Sequence, residues 1–500
     1  MRFVLHLLLL SFSTLIAAQK PYFQQEINYK INVKLEDSLH LLVGMMEMEY
    51  VNNSPDELSF IYIHLWANAY SSKTTAFAKQ QLSQNQTKFH YASAAEMGGF
   101  SNLDFVANGK PLAWSLDSEH VDIAKLELPE PLRSGERIKI STPFTLKIPA
   151  SFSRLGHVGT SYQITQWYPK PAVYDHKGWH PMPYLDMGEF YSEFGSFDVS
   201  IILPENYVVG ATGTLQTQSE HAFLEARIAQ TNAYHAGDTS LFTKDNTFPE
   251  SSKRLKTLRY TAEKVHDFAW FADKRFRVQK GEVQLADNQK VDTWVMYTHQ
   301  EENLWRKAIS YVNRSVEFFS EKIGPYPYPH ATAVQSALSA GGGMEYPMIT
   351  VIDLAYSAKY LDVVLTHEVG HNWFYGILAS NERQHPWMDE GINSYYENQY
   401  TNLYYANGDM LTDFLPNFLI GNSQLTMEEF SYLTLARQNL DLPPNTPSAE
   451  MNYANYGAMA YLKPIIAFRH LEQYLGMNTF DRIMQSYLKH GNLNILIQKI

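Results

Sequence analysis

The five residues His367-Glu368-Val369-Gly370-His371 constrain this 500-residue chain more than any other stretch. On a helix, residues four apart are separated by about 40° around the axis and roughly 6 Å along it, so both imidazoles reach one metal ion. Glu368 between them faces the open coordination position, where a carboxylate takes a proton from water. The preceding run Tyr360-Leu361-Asp362-Val363-Val364-Leu365 is apolar and predicts a buried helix, with Asp362 available as a cap. A catalytic metal of this kind needs a third protein ligand. Eighteen residues separate His371 from Glu390, which lies in Trp387-Met388-Asp389-Glu390-Gly391. The stretch on to Glu397 reads as a second helix, returning a carboxylate to the metal. The expected ligands of one Zn2+ per chain are therefore His367, His371 and Glu390.

With those residues in place, the chain resembles the aminopeptidase N family of gluzincin zinc metallopeptidases. A second motif, Gly341-Gly342-Gly343-Met344-Glu345-Tyr346-Pro347, is similar to the exopeptidase motif of that family in a form like that of bacterial members. The resemblance implies an edge strand whose backbone pairs with substrate, with Gly342, Gly343, Met344 and Glu345 as contacts and Glu345 on the free α-amine. The physical reason is that a carboxylate holds an ammonium well and glycine lets a second backbone approach closely. Tyr461-Leu462-Lys463-Pro464 is similar to the segment whose tyrosine donates to the oxyanion, although Pro464 stands where glycine is more usual. Tyr461 is the expected donor, and Tyr453 and Tyr456 compete with it.

Upstream, the chain reads as β-rich from about Pro21 to Asp273. Ile27 to Leu35 alternates apolar and polar residues, and Phe197 to Pro204 and Tyr207 to Leu215 are short β-branched runs bounded by Pro, Asn and Gly. An antiparallel β-sandwich is expected. Gln166-Trp167-Tyr168-Pro169 and Val265-His266-Asp267-Phe268 extend the resemblance into this part, which in the family supplies a Gln or Glu to the substrate amine. Gln163 is the candidate, with Gln166 the alternative. The polar stretch Ala286 to Lys290 then marks the passage to a thermolysin-like α/β domain, with a helix expected over Glu301 to Ile323 and stopped at Gly324-Pro325.

The expected organisation is a signal peptide over 1–18, a β-rich domain over 19–285 and a catalytic domain over 286–500. The family's large C-terminal helical domain is expected to be missing or truncated. Met1 to Ala18 has one arginine, a short apolar run and small residues before Gln19, which predicts export to a periplasmic or extracellular location. Its apolar run is too short for a stable membrane span. A net charge of −12 argues against nucleic acid, and the absence of cysteine excludes disulfides and thiolate metal sites. The implied partner is a peptide with a free N-terminus, shortened one residue at a time. Two alternatives use the same residues: a zinc-containing peptide-binding module with weak or no turnover, and an epoxide hydrolase on the same scaffold. Glu382 and Glu397 are candidates to orient the histidines.

Overall fold

The computed structural model describes residues 22–238, 240, 242, 246–286, 288–336, 342–405 and 425–496. The segment expected to be a signal peptide and Gly341 of the glycine-rich motif lie outside these residues. None of the described helices is long and apolar enough to cross a membrane.

The first part is a β-sandwich. Strand Glu26–Glu36 buries Ile27, Tyr29, Ile31, Val33 and Leu35 and turns the alternate residues outward, which is the side-chain period of a pleated strand with one face on a core. It pairs antiparallel with Leu41–Val51, and that strand pairs antiparallel with Arg137–Lys147. The antiparallel expectation fails at one seam, because Glu26–Glu36 runs parallel to Gly195–Pro204 in the register Tyr29↔Phe197. A parallel pair needs a long crossover, and a second sheet, built from Leu58–His64, Ala113–Leu116, Ile123–Leu132 and Lys170–Pro171, lies between these strands in sequence. The run Tyr207 to Leu215 is two strands, Val208–Ala211 and Thr214–Leu215, broken at Gly213 with φ +86°. A helix over Gln218–His235 stands within this β-rich part.

The second part is the thermolysin-like α/β domain. Its sheet runs in the order Arg277–Gln284, Lys290–Tyr297, His330–Gln335, Ile349–Ile352, Gly343–Tyr346. The boundary expected at 285/286 is corrected here. Arg277–Gln284 pairs with Lys290–Tyr297, so the polar stretch after Leu285 is a hairpin turn, closed by Leu285 N–H to Gln289 O at 2.8 Å, and not a linker. Helix Ala308–Lys322 packs on helix Ala358–Gly370, which in turn packs on helix Glu390–Tyr404. The expected cap is also corrected: Ser357 caps helix Ala358–Gly370 by accepting from Tyr360 N–H. Asp362 is fully buried inside that helix, where Arg314, Tyr400 and Tyr405 bond it. One apolar core runs through both parts of the chain, from Ile27 to Ile495.

Candidate metal centre and cleft

Helix Ala358–Gly370 carries His367 and ends on His371, and Glu390 is the first residue of the returning helix Glu390–Tyr404. The fold brings their ligand atoms together. Glu390 Oε2 lies 3.2 Å from His367 Nε2 and 3.3 Å from His371 Nε2, and the two Nε2 atoms are 3.0 Å apart. Three donors bound at about 2.0–2.1 Å on a tetrahedral zinc stand about 3.3 Å from one another, so this nitrogen, nitrogen, oxygen set fits that ion.

The other ring nitrogens are occupied by carboxylates. His367 Nδ1 is 2.9 Å from Glu397 Oε2, and His371 Nδ1 is 2.6 Å from Asp389 Oδ1. A hydrogen bond from Nδ1–H leaves each Nε2 as the free lone pair and fixes the ring plane. The motif spacing assigns Asp389 no role, although it directly precedes Glu390. Glu382 bonds neither histidine. It is buried, and its Oε2 has no hydrogen-bond partner among the described residues.

Glu368 sits on the cleft side of the same helix, buried, with Oε2 unpartnered among the described residues. Burial pushes its carboxyl up to about 7, against the pull of the His367 and His371 imidazoles. Strand Gly343–Tyr346 passes beside it. A Cβ on Gly343 would stand 2.3 Å from Glu368 Oε1, so a side chain here would displace the Glu368 carboxylate or the strand. Gly342 takes φ +119°, a conformation that L side chains rarely adopt. The strand is the last in its sheet, and among the described residues no strand pairs with its outer backbone edge.

These groups line one cleft of about 710 Å³, with Gly342, Gly343, Met344, Glu345, His367, His371, Glu390 and Tyr461 in its wall. Tyr461 OH donates to Glu390 Oε1. It is presented by a π-helical turn, Gly457–Leu462, before helix Lys463–Leu475. Pro464 fits where glycine is more usual because it starts that helix and packs on Gly391, whose Cβ would lie 2.5 Å from the Pro464 Cβ. Of the competing tyrosines, Tyr456 also lines the cleft, its hydroxyl without a partner among the described residues, whereas Tyr453 OH donates to Asp186 Oδ2 at 2.9 Å.

Gln163 is corrected. It is buried on strand Ser161–Ile164, its Oε1 accepts from Ser336 Oγ at 2.9 Å, and it does not line the cleft. Gln166 stands in a left-handed conformation with φ +47°, is 3.4 Å from Tyr346 OH, and is outside the cleft as well. The first part of the chain contributes Glu189 instead. Arg154 Nη2 donates to Glu189 Oε1 at 2.6 Å, and Arg383 Nε donates to the Glu189 carbonyl at 3.2 Å. Gly188 before it takes φ +92° against Ser448, which seats the segment between the two parts. Glu189 Oε2 has no partner among the described residues, and Glu189 and Glu345 both line the cleft. Burial and then the charge of Glu189 push Glu345 well above the usual carboxylate range, and burial raises Glu189 despite Arg154. Two crowded, dry carboxylates favour a cation between them.

Residues 307–496 match the Peptidase family M1 domain, so the part of the chain that carries the cleft is similar in sequence to that family. Over nearly its whole length the chain has the fold of an M1 zinc metallopeptidase from Deinococcus radiodurans, with a TM-score of 0.59 at 16% identity, covering 95% of this chain and 89% of that one. A two domain M1 zinc metallopeptidase bound to L-arginine is as close in fold, at 14% identity with the same coverage. Among curated proteins, Aminopeptidase M1 of Arabidopsis thaliana is 24% identical over 189 residues, 35% of this chain and 20% of its own length. Aminopeptidase 2 of Candida albicans is 24% identical over 217 residues, 41% of this chain and 22% of its own length. The chain spans about a fifth of the length of these curated relatives. Both the family match and the donor set imply Zn2+ as the cofactor.

Proposed function

We propose that this chain is a zinc-dependent aminopeptidase that removes single N-terminal residues from peptides. The observation that carries the reading is one cleft lined by the metal-ligand trio, a buried base and two further buried carboxylates, Glu345 and Glu189, beside an open strand edge.

His367, His371 and Glu390 would hold Zn2+, which supplies Lewis acidity toward a water and the scissile carbonyl. Glu368 accepts the proton of the attacking water at its unpartnered Oε2 and returns it to the leaving amine, a task suited to a carboxyl raised to about 7. Glu345 and Glu189 hold the α-ammonium of the substrate, which fixes the reacting bond as the first one. The outer edge of Gly343–Tyr346 pairs with the substrate backbone. Tyr461, or Tyr456 beside it, donates to the carbonyl oxygen as negative charge develops there. Export, expected from the leading segment, belongs to the same proposal.

Glu368→Gln tests the core of this reading. Zinc content should stay at one per chain while turnover of aminoacyl amides disappears. Undiminished turnover in the variant would show that Glu368 is not the base.

A further inference from the structure

A second cavity, of about 270 Å³, shares no lining residue with the cleft. Four cations line it. Arg227 comes from helix Gln218–His235, Lys274 and Arg275 from the turn after strand Trp270–Asp273, and Arg277 from the head of strand Arg277–Gln284. Asn206, Asn246 and His299 add polar lining, and exposed Asn246 and Pro249 mark its mouth.

The carboxylates of the described residues around it do not match these cations one for one. Asp273 neutralises Arg275, with Nη2 at 2.6 Å from Oδ2. Arg277 Nη1 reaches Glu302 Oε2 at 2.9 Å, but that oxygen also accepts from Tyr234 and faces His299. Lys274 Nζ stands 4.0 Å from Asp37, whose Oδ2 also accepts from Tyr207 and Ser251. Arg227 has no carboxylate in ion-pair distance among the described residues. It donates to the Lys274 carbonyl at 2.8 Å and to Gln230 at 3.4 Å.

Three buried donor nitrogens are left over. Arg277 Nε, Arg277 Nη2 and Arg227 Nε have no hydrogen-bond partner among the described residues, although the Arg277 side chain is only 1% exposed. Burying such donors unmet is unfavourable. The ring of Tyr234, 4.4 Å from Arg277 Cζ, and that of Phe242, 5.0 Å away, hold the guanidinium without accepting its in-plane N–H groups. Arg227 and Arg277 both line the cavity, so an anion in it meets two guanidinium groups whose carboxylate pairing among the described residues is incomplete.

We propose that this cavity binds a tetrahedral oxyanion across Arg227 and Arg277: phosphate, or the terminal phosphate of a small phosphomonoester. Guanidinium forks match the oxygen spacing of such a group, and a cavity this small and this positive rejects a peptide. Arg227 and Asn206 belong to the first part of the chain and Arg277 and His299 to the second, so the anion would tie the two parts together. Binding to the folded state alone then raises the melting temperature.

The experiment is calorimetric titration and thermal melting of the full chain with sodium phosphate and with glycerol 3-phosphate, at fixed ionic strength, with chloride and acetate as controls. The expected result is saturable binding of one anion per chain and a rising melting temperature, with chloride and acetate inert. Arg227→Gln should weaken the binding by at least about tenfold. Arg277→Lys, which retains the charge toward Glu302, should do the same if the fork is what recognises the anion. Tighter binding of glycerol 3-phosphate would assign the site to esters, tighter binding of phosphate to the free anion, and both uphold the site. Phosphate heats no larger than those of chloride, or an unchanged affinity in a folded Arg227→Gln, would overturn it.

Discussion

Gly343→Ala isolates the contact between the edge strand and the base. The added methyl would lie 2.3 Å from Glu368 Oε1 and 2.6 Å from its Cδ, where ordinary contact begins at 3.4 Å. Glu368 or the strand must therefore move by about 1 Å, a displacement of the kind that costs ~10²-fold in rate, or about 2.7 kcal/mol of barrier. The three atoms nearest this methyl all belong to Glu368 and none to a metal ligand, so zinc content should stay at one per chain. The assay is kcat/KM on an aminoacyl amide, with zinc measured on the same sample and a melting curve to establish folding. In a Glu368→Gln background the same change should add almost nothing, because the group it displaces has already lost its function. A Gly343→Ala protein with normal turnover would refute the claim that Glu368 acts from this position. So would a further hundredfold loss on top of Glu368→Gln.

Three other outcomes follow from the same contacts. Asp389→Ala should weaken zinc binding by ~10–100-fold, and Glu397→Gln by less, because the Asp389 side chain is fully buried and that of Glu397 is 20% exposed; competition with a chromogenic chelator reads both. Tyr461→Phe should lower kcat by ~10²–10³-fold with a smaller effect on KM, and the same loss from Tyr456→Phe alone would move the oxyanion role to that residue. Acid should destabilise the fold through His64, whose Nε2 accepts from Met182 N–H at 3.0 Å and which burial, then Lys170 and Arg383, push down to about 3. Its folded pKa lies below the unfolded value of 6.5, so its contribution is complete above pH 6.5 and falls with pH. Relative to His64→Gln, denaturant melts should lose about 1.4 kcal/mol per pH unit between pH 6 and 4, and a flat difference would contradict the buried neutral imidazole.

What was legible in the sequence was local. Two histidines four apart on a helix share a face whatever surrounds them, so His367 and His371 needed no tertiary information, and Glu390 needed only a short return. The strand Glu26–Glu36 announced itself by strict alternation. What was not legible depends on distant parts meeting. Gln163 carries the right functional group, but the register of its strand turns it toward Ser336. Glu189 sits in an aperiodic, proline-rich segment, and its place comes from the left-handed Gly188 and from Arg154 and Arg383, remote in sequence. A glycine directly before an acid in such a segment was the only signal. Asp362 reads as a cap because short polar side chains favour helix starts, yet Arg314 and two tyrosines satisfy it deep in the helix. The polar turn after Leu285 looks the same in sequence whether it links domains or closes a hairpin.

The central claim, that the cleft reads a free amino terminus beside a zinc site, is tested most directly by one comparison. Peptides and aminoacyl amides with a free N-terminus are assayed against the same compounds N-acetylated, with zinc determined on the same sample. One zinc per chain, cleavage of the first bond in the free substrates and none in the acetylated ones are the expected results. Equal cleavage of both sets would contradict the roles of Glu345 and Glu189 as holders of the amine, and bound zinc with no cleavage of either would contradict the aminopeptidase reading itself.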